Sequence, residues 1–64
     1  MSITNIEVKL VGTDGNAFAI LGKVQGVMKK ANIEKKVIDE YTKKAMSGDY
    51  DHLLAVTMEY VEVS

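Results

Sequence analysis

Sixty-four residues, 47% of them apolar and 27% charged with a net charge of −1, make one globular domain and exclude a disordered tail. With no cysteine and a single histidine there can be no disulfide framework, and no zinc cage of the usual Cys/His kind. A chain this short buries only about 60% of the surface that its unfolded form exposes, so helix packing or self-association must supply what staples supply elsewhere.

From Ile6 to Val11 apolar and charged residues alternate, with Ile6, Val8 and Leu10 on one side and Glu7 and Lys9 on the other, which predicts a half-buried strand. "GTDGN" (12–16) breaks it: Gly12 and Gly15 open backbone angles closed to other residues, and Asp14 or Asn16 can cap a following helix. The period then changes. Ala17, Leu21, Val24, Met28 and Ala31 fall at intervals of four and three, on one helical face widened by Phe18, Ile20 and Val27.

Asn32 accepts the left-handed conformation that ends many helices, so a helix hairpin is expected there. In the second helix Ile33, Val37, Ile38, Tyr41, Ala45 and Met46 build the apolar face, and Ser47-Gly48 ends it. Asp49 starts a third, shorter helix with Leu53, Leu54, the Thr57 methyl and Met58 turned inward. "MEYVEV" (58–63) alternates again, with Val61 and Val63 on one side and Tyr60 and Glu62 on the other, and predicts a second strand. No turn residue lies between Leu53 and Val63, so the chain is expected to keep its direction from the third helix into that strand. The terminal strands would then be antiparallel, unless the chain crosses sharply at the junction. The fold class is α+β, strand-helix-helix-helix-strand, with a three-helix layer on a two-stranded antiparallel ribbon.

The longest strongly apolar run, Ala17 to Leu21, is far short of the ~18 residues that span a bilayer, and no basic region precedes an apolar signal core. A soluble cytoplasmic protein is expected.

"GDYDHLL" (48–54) holds the one histidine between two aspartates. A calcium loop from Asp49 would need an oxygen ligand, glycine and glutamate where Leu53, Leu54 and Tyr60 stand. Zinc at His52 would need distant partners, because Asp49 and Asp51 are too close in sequence to close a tetrahedron with it. A triad of Ser47, His52 and an aspartate would crowd three roles into six residues. Helix initiation accounts for the stretch instead: Asp49 as N-cap, Asp51 in the first turn, His52 third and mostly facing solvent. No catalytic, cofactor or metal residue is assigned.

"GTDGNAFAILGKV" (12–24) places a glycine turn between strand and helix, where many proteins hold phosphate. Six residues separate Gly15 from Gly22-Lys23-Val24, however, and the phosphate-binding loop requires four. A general anion site at the amides of Gly15 to Ala17 competes with a plain turn and cap. Gly22 and Gly26 each cost a helix about 1 kcal/mol relative to alanine, so close approach of another backbone is expected over them, within the chain in preference to a second copy.

Seven lysines against three acids give +4 between residues 23 and 44, and one lysine against six acids gives −5 elsewhere. Lys29, Lys30, Lys35, Lys36, Lys43 and Lys44 are the candidate interaction residues. They could bind nucleic-acid phosphate, yet there is no arginine for bidentate base reading, and the one aromatic between them, Tyr41, belongs to the apolar face and not to a stacking surface. Lys35/Asp39, Lys36/Glu40, Asp39/Lys43 and Glu40/Lys44 stand four apart, so a solvated, self-paired helix face is expected.

"VKLVGTDGNAFAILGKV" (8–24), "SGDYDHLL" (47–54) and "MEYVEV" (58–63) together resemble a group of short uncharacterised proteins encoded by bacteria and their phages. The resemblance covers nearly the whole chain and implies a single-domain cytoplasmic product, with no activity, cofactor or residue roles to carry over. The function expected from the residues is a small non-enzymatic interaction module that uses the open edge of its ribbon to pair with itself or with a protein partner. A nucleic-acid-associated protein using the lysines is the alternative.

Overall fold

A computed structural model describes residues 2–10, 12 and 15–64. Strand β1 (Glu7–Val8) is followed by helices α1 (Ala17–Lys30), α2 (Lys35–Ala45) and α3 (Tyr50–Tyr60) and by strand β2 (Glu62–Val63). The α+β order is as expected. Val11 and Asp14, the expected strand end and one of the two expected caps, lie outside the described residues.

Each helix starts and stops for a local reason. Asn16 caps α1, its Oδ1 accepting the Ala19 N–H at 2.8 Å. At the other end Asn32 sits at φ 60°, its N–H donates to the Lys29 carbonyl, and the Ile33 N–H donates to Met28. This double closure around one left-handed residue is a Schellman motif, and it brings Ile33 back onto the core. Asp49 caps α3, its Oδ1 accepting the His52 N–H at 2.9 Å. Helix α2 begins without a side-chain cap, at Glu34, and has no acid in its first turn.

The core joins Ile20, Leu21, Val24 and Met28 of α1, Ile38, Tyr41 and Ala45 of α2, and Leu53, Val56 and Tyr60 of α3 with Val8 and Val61 of the sheet region. Four expected core residues stand elsewhere: Phe18 (76% exposed), Met58 (65%) and Met46 (57%) face solvent, as does Ala31. On α3 the buried stripe is Leu53, Val56, Thr57 and Tyr60, at helical spacing. Tyr60 therefore belongs to the helix and not to a strand starting at 58. Its ring meets Tyr41 edge-on, with centroids 5.4 Å apart and planes at 62°.

The strands are parallel, with Glu7 opposite Glu62 and Val8 opposite Val63, which corrects the antiparallel expectation. The cause lies in how α3 ends. Its last carbonyls have no helical partner, and the N-terminal segment supplies one: the Ile3 N–H donates to Glu59 O at 2.8 Å, and the Thr4 N–H and Oγ1 donate to Tyr60 O at 3.1 and 2.6 Å. Val61, at φ −136° and ψ 161°, then takes the chain out of the helix in an extended conformation. From there both ends advance together: Glu62 N–H to Ile6 O, Ser64 N–H to Val8 O, Leu10 N–H to Ser64 O. The hydrogen bonding thus reaches from Ile6 to Leu10 on one side, beyond the two residues of each strand proper.

Candidate functional site

The histidine cluster closes a helix end. His52 Nε2 lies 2.9 Å from the Lys44 carbonyl oxygen and 3.1 Å from Ser47 Oγ. A carbonyl only accepts, so Nε2 carries the proton and donates. It cannot then take a proton from Ser47, whose own hydroxyl donates to the same Lys44 carbonyl at 2.7 Å. Asp49 touches the His52 backbone and not its ring. Gly48 fits this arrangement through space and not through backbone angle: a Cβ there would stand 2.7–2.8 Å from Cγ, Cβ and Cδ2 of His52, and its φ is not in the left-handed region, where Gly12 is the only glycine described. Among the described residues no three His, Cys, Asp or Glu side chains come together as a metal cage.

At the Gly15–Ala17 turn the cap position is taken by Asn16 itself. Gly22 and Gly26 are exposed, and a Cβ on either would meet nothing within 4 Å. The expected close approach of the chain's own backbone is absent there. The helices pack through the opposite face of α1, where Val24 and Met28 are fully buried.

The six candidate lysines split into two groups. Lys29 and Lys30 end α1 and Lys35 and Lys36 begin α2, so four gather at one corner, while Lys43 and Lys44 occupy the far end of α2. Lys29, Lys30, Lys43 and Lys44 stand in last turns, where a cation complements the helix dipole. Lys35 and Lys36 stand in a first turn, where it does not. None of the four expected i,i+4 pairs forms: among the described residues the one ion pair is Lys44 Nζ to Glu59 Oε1 at 3.1 Å, between half-exposed side chains. Lys44 also lies 5.9 Å from the Tyr60 ring centroid. Glu40, the expected partner of Lys36 and Lys44, instead accepts the Tyr60 hydroxyl at 2.7 Å. That bond, with burial and the charges of Glu40 and Glu59, pushes the Tyr60 pKa up to about 12.

Two surfaces escape periodicity. Phe18, Met46 and Tyr50 ring an apolar groove of about 200 Å³ floored by Leu21, Ala45 and Leu53. In sequence Phe18 and Met46 pass for core, because each continues an apolar stripe. The second surface is the sheet edge. The hydrogen bonding uses Ile6, Val8 and Leu10 against Glu62 and Ser64, so by the period of two the backbone groups of Glu7 and Lys9 point away from β2. Among the described residues β1 has one neighbour, and the side chains of Glu7 and Lys9 are exposed. On the opposite edge Val63 is turned outward, while the Val61 N–H is held by Thr57 O.

Among the described residues no helix is long and apolar enough to cross a membrane. Comparison with known proteins finds no matching family model, no similar curated protein and no similar solved structure. The resemblance to short bacterial and phage-encoded proteins gains no support there.

Proposed function

We propose that this protein is a small non-enzymatic interaction module that associates with a second copy of itself through its sheet edge. One observation carries the reading: among the described residues the two-stranded sheet leaves a row of backbone donors and acceptors on β1 with no strand beside it. An uncovered edge is a template for another strand, and a second copy gives a sheet of four strands in place of two. The radius of gyration, 10.5 Å, matches the roughly 10.7 Å of a compact chain of this length. Sedimentation velocity over a dilution series from millimolar to micromolar tests it: the mass should rise from monomer to dimer with concentration, and a strict monomer at millimolar concentration removes the proposal.

A second reading rests on the lysine corner. Lys35 and Lys36 oppose the dipole of α2, and the adjacent acid, Glu34, stands at the cap position without a side-chain cap bond, an arrangement that phosphate would relieve. Binding to duplex DNA that is present at low salt and lost steeply towards physiological salt would support it, and no mobility shift at low salt would end it.

A further inference from the structure

The outward edge of β1 has a sequence that is complementary to itself when reversed. We propose that two copies pair antiparallel along β1 about a twofold axis through Val8, in the register that sets Glu7 of each copy against Lys9 of the other. This rests on the self-association proposed above and adds to it the strand, the direction and the register.

Three constraints are met together by one alignment. The first is hydrogen bonding. In an antiparallel pair, residues that exchange both backbone bonds must each point them across the gap. On this edge the residues that do so are Glu7 and Lys9, since Ile6, Val8 and Leu10 are engaged with β2. The allowed pairs are thus Glu7 with Lys9 twice over, or Glu7 with Glu7, or Lys9 with Lys9. The second constraint is charge. Both side chains are exposed, and like charges directly opposite one another are destabilising while opposite charges attract. The last two alignments each put a like pair on the axis, and the first makes two acid–base pairs. The third constraint is the other face. With Val8 on the axis, Ile6 of one copy falls opposite Leu10 of the other, and both are partly buried against the core with surface left to cover. One alignment satisfies the backbone, the charges and the apolar face together.

Charged residues on an edge normally deter pairing, lysine above all. Here the acid two residues away on the same face answers the lysine under a twofold axis, so the edge repels unmatched strands and accepts its own. The axis stands perpendicular to the sheet and keeps both helical layers on one face, giving the order β2, β1, β1, β2. Asn5, at φ 57°, ends the extended run on its N-terminal side, so the edge is short and the dimer is a weak one.

Charge exchange tests the register. Glu7→Lys makes the edge wholly basic and Lys9→Glu makes it wholly acidic. Each variant alone should dissociate about tenfold more readily than the parent, two attractive pairs having become repulsive. An equimolar mixture of the two variants should form a heterodimer, and the double exchange Glu7→Lys/Lys9→Glu should dimerise like the parent. Amide hydrogen exchange on the unmodified chain gives an independent readout: the Glu7 and Lys9 amides should become protected as concentration rises. A dimer whose affinity ignores all three variants and whose Glu7 and Lys9 amides stay unprotected overturns the register while leaving self-association in place. A monomer at millimolar concentration overturns both.

Discussion

Tyr41 and Thr57 share one buried chain of hydrogen bonds, and its direction decides what each hydroxyl contributes. Thr57 Oγ1 donates to the Leu53 carbonyl at 2.8 Å, which uses its only proton. Tyr41, 2.8 Å away, must therefore be the donor in the bond between them. Removing the acceptor strands a buried donor, whereas removing the donor leaves Thr57 still satisfied by Leu53. Thr57→Val should accordingly destabilise the fold by about 1–3 kcal/mol and Tyr41→Phe by about 0.5–1.5 kcal/mol. Urea denaturation of the two variants checks the order, and a larger loss for Tyr41→Phe than for Thr57→Val would mean the bond runs the other way. This bond was hidden in the sequence, where threonine among leucines reads as a methyl and no more.

Helix α1 has two unlike faces. Ile20, Leu21, Val24 and Met28 hold it to the core, while Gly22 and Gly26 lie on the side open to solvent with free space above them. Glycine there weakens the helix through backbone entropy, and none of the described residues packs over it to offset this. Gly22→Ala and Gly26→Ala should each stabilise by about 0.5–1 kcal/mol, read from the denaturation midpoint. They should also leave the dimer affinity unchanged, since association is assigned to β1. A loss of self-association in either variant would move the interface onto α1. The α3 stripe makes a related point about strength of pattern: Leu53, Val56, Thr57 and Tyr60 are helically spaced, but the alternation of Tyr60 to Val63 overlaps its end, and a short window cannot tell where one period stops.

Tyr60 is where most of the molecule meets. Its ring packs on Tyr41, its hydroxyl reaches Glu40 on α2, and its carbonyl receives Thr4 from the N-terminal segment. In the fold its pKa is raised from the ordinary 10.0 to about 12, chiefly by the bond to Glu40. The folded state thus holds the proton more tightly than the unfolded chain does. That contribution to stability is complete below pH 10 and is lost as pH rises towards about 12. Tyr41 is raised as well, by burial foremost, so it adds to the same alkaline loss. Thermal unfolding measured from pH 9 to pH 12 should show a steeper fall for the parent than for Tyr60→Phe, and identical slopes would refute the role of the Glu40 bond.

Much of this architecture was legible in the residues. The order of elements, the Asp49 cap, Asn16 as one of two candidate caps, the left-handed Asn32 and most of the inward face of α1 follow from spacing and from side chains that reach only their neighbours. What the residues left open depends on groups far apart in the chain. The direction of β2 was set when Ile3 and Thr4 took the last carbonyls of α3, and no pattern within residues 50–64 records that contact. Phe18, Met46 and Met58 satisfy an apolar period yet lie outside the core, because a helix face is wider than the part its neighbours cover. Local preferences act over one or two turns of chain; burial and strand direction are settled by what happens to lie alongside.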